Sequence, residues 1–161
     1  MIRRLVISCC LLLAACGPRE KLPKAPPLML DSAASGVDCR VRALQFYEAD
    51  QLDSALALYT RATQYNRNDK YAWHGIAATL GRLGRYDEAL PAYDEALRID
   101  SNYVGAIWHR ACGYANALQK DKALSDLRRA IALDSTVKQD AQQDKCFEWM
   151  WGDSVYLSVV R

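Results

Sequence analysis

Three alanines, Ala55, Ala89 and Ala123, stand 34 residues apart, and two further sets, Ala62, Ala96, Ala130 and Ala43, Ala77, Ala111, keep the same period. Self-similarity at this length is the signature of a helical hairpin stacked on copies of itself. Small residues recur at fixed places because two helix backbones must approach closely there. The chain is therefore expected to be all-α, an α-solenoid of about three hairpins. Such an array offers an extended surface for binding and leaves little chain in which to build a catalytic site.

The clearest unit runs from Lys70 to Asn102. Trp73, Ile76, Ala77 and Leu80 form one apolar stripe at helical spacing, and Gly81-Arg82-Leu83-Gly84 interrupts it. Tyr86, Ala89, Leu90, Tyr93, Ala96 and Leu97 form a second stripe, after which Ser101 is placed to cap the next helix. The set Trp73, Ile76, Ala77, Leu80, Gly84, Tyr86, Ala89, Tyr93 and Ala96 strongly resembles the tetratricopeptide (TPR) motif, with Ser101 in place of its usual terminal proline. The flanking units are more degenerate. The first keeps Ala43, Phe46, Leu52, Ala55, Tyr59 and Ala62, and the third keeps Ile107, Ala111, Tyr114, Ala123, Leu127 and Ala130. In the third, Leu118 sits where the turn glycine is usual and Lys120 where an aromatic is usual. The resemblance thus covers three repeats, 36–69, 70–103 and 104–137, followed by a capping helix and tail over 138–161. An end repeat must cover an exposed apolar face. A helix from Val137 through Ala141 toward Trp151 is expected to do so with Phe147, Met150 and Trp151, and Gly152-Asp153 should break it. The apolar residues from Val155 to Val160 either fold back on the last helix or form an exposed binding segment.

In TPR proteins the first helix of each hairpin lines a concave groove. By position, the resemblance places Arg40, Tyr47 and Glu48 there from the first unit, Tyr71, His74, Ala78 and Arg82 from the second, and Trp108, Cys112 and Asn116 from the third. Aromatic and arginine side chains carry much of the energy at interfaces. Trp108 is the most conspicuous, and it either points into the groove or packs under the terminal helix. Three hairpins suit an extended peptide or a single helix. The family's best-known clamp grips a terminal carboxylate with lysine, arginine and asparagine. Arg40 stands in one fitting place, but Leu44 and Ala78 stand where asparagines would help, so recognition of that kind of tail is not expected.

The amino terminus addresses location. Arg3 and Arg4 precede a short apolar run, Leu5 to Leu13, so residues 1–15 read as a secretion signal. The run is far below the ~20 residues of a membrane-spanning helix. Leu13-Ala14-Ala15-Cys16 resembles the lipobox of bacterial lipoproteins, which implies acylation of Cys16 and cleavage before it; an ordinary cleaved signal is the alternative. In lipoprotein sorting an aspartate after the lipidated cysteine retains the protein at the inner membrane. Gly17 stands here, which implies the periplasmic face of the outer membrane. Removing the signal takes Arg3 and Arg4 away, so 21 basic residues against 19 acidic become 19 of each, and no argument for nucleic acid remains. Residues 16–35 read as a lipidated tether, because Pro18, Pro23, Pro26 and Pro27 disfavour helix. Its apolar cluster Leu28-Met29-Leu30 either docks on the first helix or contacts a membrane or partner.

Cys39, Cys112 and Cys146 follow Cys16, and an oxidising compartment permits one pair. Cys112 and Cys146 occupy equivalent places in successive hairpins. Equivalent helices lie roughly 10 Å apart, whereas a disulfide wants Cα atoms within about 7 Å. A displaced capping segment would close the gap, and Cys39 is then a buried thiol. His109 and Cys112 share a helix face, a spacing that helix packing produces often, so no metal site is expected. No nucleophile elbow, phosphate loop or metalloprotease helix motif is present. The expectation is a non-enzymatic adaptor anchored in the bacterial envelope, a monomer or complex subunit that binds a periplasmic protein or peptide. It needs no cofactor beyond the lipid on Cys16, no small-molecule substrate and no nucleic acid. The alternative is a structural subunit of a pilus, secretion or outer-membrane assembly complex.

Overall fold

The computed structural model describes residues 35–161. The expected signal 1–15, the lipidation site Cys16 and residues 16–34 of the tether lie outside the described residues.

Six helices pair into three antiparallel hairpins: α1 (Gly36–Glu48) with α2 (Leu52–Tyr65), α3 (Lys70–Arg82) with α4 (Tyr86–Ile99), and α5 (Val104–Asn116) with α6 (Lys120–Leu133). Each hairpin stacks on the next through α2 against α3 and α4 against α5. The alanine ladders explain this close approach, since eight of the nine are fully buried and Ala89 nearly so. Around them sit Tyr59, Ile76, Leu80, Tyr93, Ile107 and Leu127, in one continuous core. Gly75 shows the tightness of the joint: a Cβ there would lie 2.4 Å from Cε1 of Tyr59.

The period extends to the turns. Each hairpin turn holds one residue in the left-handed region: Asp50 at φ 59°, Gly84 at 74° and Leu118 at 57°. The following amide then donates back to a helix-end carbonyl, Gln51 to Phe46 at 2.8 Å, Arg85 to Leu80 at 2.9 Å and Gln119 to Tyr114 at 2.8 Å. Leu118 adopts a conformation that suits glycine. Between hairpins, Asn66, Asp100 and Asp134 leave the helix in extended backbone. Their side chains accept from the amide two residues on, at 2.9, 3.0 and 2.9 Å. Ser101 does not cap α5, whose N-cap is Tyr103 without a side-chain bond. The turn is instead organised by the Asp100 carboxylate.

The terminal segment departs from the expected single capping helix. It forms a short α7 (Val137–Ala141), a 3-10 turn (Lys145–Met150) and α8 (Ser154–Val160). Asp144 causes the break, because its carboxylate accepts from the Cys146 amide at 3.0 Å and starts a new segment. Asp153 then caps α8 by accepting from Val155 and Tyr156. Phe147 and Met150 are fully buried, while Trp151 is 37% exposed at the rim. Tyr156 and Val160 are buried, and Tyr156 donates its hydroxyl to the Ala141 carbonyl. The tail therefore folds back, with α8 against α6 and α7. No described helix is long and apolar enough to cross a membrane.

Candidate functional site

The 34-residue period puts equivalent positions of α1, α3 and α5 side by side. Between these helices lies a cleft of about 170 Å³. Tyr47 from α1, Ala78, Gly81 and Arg82 from α3, and His109, Cys112, Gly113 and Asn116 from α5 line it, with Tyr86 and Tyr93 of α4 forming a wall. The floor is open because Gly81 has no side chain and Ala78 only a methyl group, whereas a Cβ at Gly113 would meet Leu90 at 3.3 Å. A Cβ at Gly81 would meet nothing within 4 Å.

Arg82 is held in place at one end. It bonds the Asp50 carboxylate at 2.6 Å and the Tyr47 carbonyl at 2.9 Å, and its guanidinium lies 4.6 Å from the centre of the Tyr47 ring. His109 occupies the position 34 residues after Gly75. Gly75 fits beneath Tyr59, but an imidazole cannot slip under Tyr93 in the same way. It stacks beside that ring instead, with centroids 6.4 Å apart and an interplanar angle of 15°, and keeps a face toward solvent.

Behind the cleft the two histidines form a chain. Nε2 of His74 lies 2.9 Å from Nδ1 of His109, and the Tyr103 hydroxyl lies 3.3 Å from Nδ1 of His74. Two tautomer sets satisfy both contacts, with the protons donated along the chain either from Tyr103 toward His109 or from His109 toward Tyr103. Burial pushes the His74 imidazolium down to about 4, and the neighbouring His109 works in the same direction. Burial also lowers His109, against the opposing pull of the Gly105 carbonyl and the Asp144 carboxylate. Both rings are therefore neutral near pH 7.

Of the residues expected in a groove, Tyr47, Arg82 and Asn116 line the cleft, as do Ala78 and Cys112. His74 reaches it only through His109. Arg40 and Tyr71 belong to a separate cluster. Arg40 pairs with Asp69 at 3.2 Å and lies over the Tyr71 ring, which meets Tyr103 edge-on at 5.6 Å. Lys70 sits 5.1 Å from each of those two rings and bonds Asp100 at 2.5 Å. Glu48 is exposed at the end of α1. Trp108 does not line the cleft: its ring meets Phe147 edge-on at 5.3 Å, because the displaced terminal segment brings an aromatic against it. Tyr86, Tyr93 and His109 also line the cleft, although the sequence points to the two tyrosines only as members of an apolar stripe and to His109 only as sharing a face with Cys112. Their signal was present, since each falls at a repeat position whose equivalents could have been compared.

Cys112 and Cys146 form a disulfide with Cα atoms 5.4 Å apart, closing the gap through the displaced 3-10 turn, and Cys39 is a buried free thiol. Asp144 joins this pair, and one atom from each of the three residues lies within 4.8 Å of the others. Both sulfurs are consumed by the disulfide and are not available as thiolate ligands.

Comparison with known proteins is consistent with this geometry. Residues 71–103 match the family model "Tetratricopeptide repeat". Peroxisomal targeting signal receptors of Candida glabrata and Saccharomyces cerevisiae are each 29% identical, over 90 and 92 residues. Those stretches cover 56% and 55% of this chain but only 15% of either receptor. Among solved structures, the first TPR of Spaghetti (RPAP3) bound to HSP90 peptide SRMEEVD superposes with a TM-score of 0.64 at 12% identity, over 79% of this chain and 94% of that one. YrrB, a TPR protein described as having an unusual peptide-binding site, gives a TM-score of 0.64 at 24% identity, over 70% and 59%. One repeat of this chain thus matches the tetratricopeptide model, and the two solved structures share its helical-hairpin solenoid fold.

Proposed function

We propose that this chain is a lipid-anchored adaptor of the bacterial cell envelope whose cleft between α1, α3 and α5 holds a peptide or helix of a partner protein. The observation that carries the reading is the cleft itself: an open, aromatic-walled slot at the place where successive hairpins meet. TPR structures bound to peptides, such as Spaghetti with an HSP90 peptide, favour the same use of the fold. The anchor and the address rest on Leu13-Ala14-Ala15-Cys16 and Gly17. A cysteine carrying several acyl chains would hold the protein stably, where one chain binds only marginally.

One observation favours a second reading, a subunit built permanently into an assembly complex. Val37, Val41 and Leu44 form an exposed apolar stripe along α1, each about half exposed. A stable monomer with transient partners supports the adaptor; fixed stoichiometry with a partner, and instability alone, supports the subunit.

The test places a photo-crosslinking residue at Asn116 in the full chain inside its own cells, with Glu95 on α4 as the control position. A discrete partner captured at Asn116, absent at Glu95 and lost when Tyr47 and Arg82 are changed to alanine, is expected. Equal capture at both positions refutes the groove. Cys16→Ser should abolish incorporation of labelled palmitate and release the protein from the membrane fraction; unchanged labelling would remove the anchor from the account.

A further inference from the structure

We infer that the cleft recognises an uncharged internal stretch of its partner by taking one neutral apolar side chain into the slot over Gly81, and not by gripping a carboxylate. This inference rests on the proposed peptide-binding role of the same cleft and names what that role selects.

Charge carries the first half of the argument. Among the described residues Arg82 is the one permanently cationic side chain that lines the cleft, and Asp50 and the Tyr47 carbonyl already hold its guanidinium at 2.6 and 2.9 Å. An incoming carboxylate would approach a guanidinium whose charge Asp50 already balances, and the two carboxylates would repel each other. The remaining basic group, His109, spends Nδ1 on His74. In the adjoining cluster Lys70 donates to Asp100, and Arg40 has the Asp69 carboxylate 3.2 Å from its Nε to balance its charge, although that Nε makes no hydrogen bond. An acidic or carboxyl-terminal ligand therefore meets no net positive charge, since Arg82, Arg40 and Lys70 each have a carboxylate beside them, while a charged side chain of either sign would lose its hydration without a compensating charge.

Shape carries the second half. The slot has glycine and alanine on its floor and tyrosine rings on its walls, and its volume is about 170 Å³. A cavity of about 150 Å³ takes a benzene-sized apolar group, so this one is sized for a single leucine, methionine, proline or phenylalanine side chain. Asn116 at the rim supplies an amide donor and acceptor for the ligand backbone on either side. An anchor side chain flanked by backbone hydrogen bonds is how an extended internal segment is read.

The structure also provides a clean way to fill the slot. Gly81 lies in α3 at an ordinary helical φ, and a side chain added there meets open space. Gly81→Leu should therefore occupy the cleft without straining the fold, and Ala78→Met is a second filling variant if the first does not fold. Peptides from a displayed random library are selected on the full chain and counter-selected on the filled variant, with thermal midpoints measured on both. The expected result is enrichment of peptides carrying one neutral apolar anchor in an uncharged context, at internal positions. Their binding should weaken about tenfold or more when Gly81 is filled, a loss typical of an interface anchor. Enrichment of acidic peptides, or of peptides that need a free carboxyl terminus, still sensitive to Gly81→Leu, overturns this inference and leaves the peptide-binding role standing. No enrichment, or enrichment indifferent to both filled variants, overturns both.

Discussion

Acidification should destabilise this protein through the His74–His109 pair. The folded His74 titrates at about 4 against an ordinary 6.5, because burial and the neighbouring ring disfavour its charge. The unfolded chain binds more protons than the folded one between those values. The stability from His74 is thus fully present above 6.5 and is lost as pH falls toward 4. Going from pH 7.5 to pH 5, linkage with those two pKa values gives a loss of about 2 kcal/mol. Water in the open cleft screens part of it, leaving about 1–2 kcal/mol. His109, Tyr103 and Tyr93 are the titratable groups that face the ring. His109 is lowered as well, so it adds to the loss. Urea denaturation followed by circular dichroism at both pH values measures the effect. His74→Gln keeps a polar group but cannot titrate, so the variant should lose about 1 kcal/mol less than the wild-type protein on acidification. Identical losses in the two proteins, or a wild-type protein more stable at pH 5, would show that His74 is not the group whose protonation opposes folding.

Other perturbations are equally direct. Reducing the Cys112–Cys146 disulfide opens a loop of sequence separation 34 and should cost about 3–4 kcal/mol, read as a lower urea midpoint in dithiothreitol and in Cys112→Ser. Gly75→Ala should cost about 1–3 kcal/mol, because its Cβ would lie 2.4 Å from the Tyr59 ring. Gly81→Ala, into open space, should stabilise by about 0.5–1 kcal/mol, and thermal melts of the two variants test the contrast. Leu118→Gly should stabilise by about 1 kcal/mol, since Leu118 has φ 57° and is 72% exposed, so relief of strain outweighs any lost burial. A midpoint that falls in this variant would contradict the turn assignment.

Much of the fold is legible in the sequence because it is periodic. The alanine ladders mark where backbones touch, and the same period recovers the turn residues Asp50, Gly84 and Leu118 and the carboxamide or carboxylate turns at Asn66, Asp100 and Asp134. What breaks the period is not legible. The terminal segment is redirected by Asp144, a cap that only becomes visible once the Cys146 amide is seen pointing at it. Trp108 is drawn out of the groove by Phe147, which belongs to that redirected segment. In the cleft, positions on the first helices are readable by equivalence, and they include Tyr47, Arg82 and Asn116. The role of His109 is not, because it follows from the failure of an imidazole to fit where Gly75 fits. Pairing also escapes a linear reading: Arg82 looks available for a ligand until Asp50, 32 residues away, is found holding it.

Hydrogen exchange of the full chain, with and without the partner captured at Asn116, decides whether the proposed cleft between α1, α3 and α5 binds that partner. Slowed exchange concentrated around Tyr47, Arg82 and Asn116 is expected, and it should disappear in Gly81→Leu. Slowed exchange confined to α8 around Tyr156, or to the outer stripe of Val37, Val41 and Leu44, would contradict binding in the cleft.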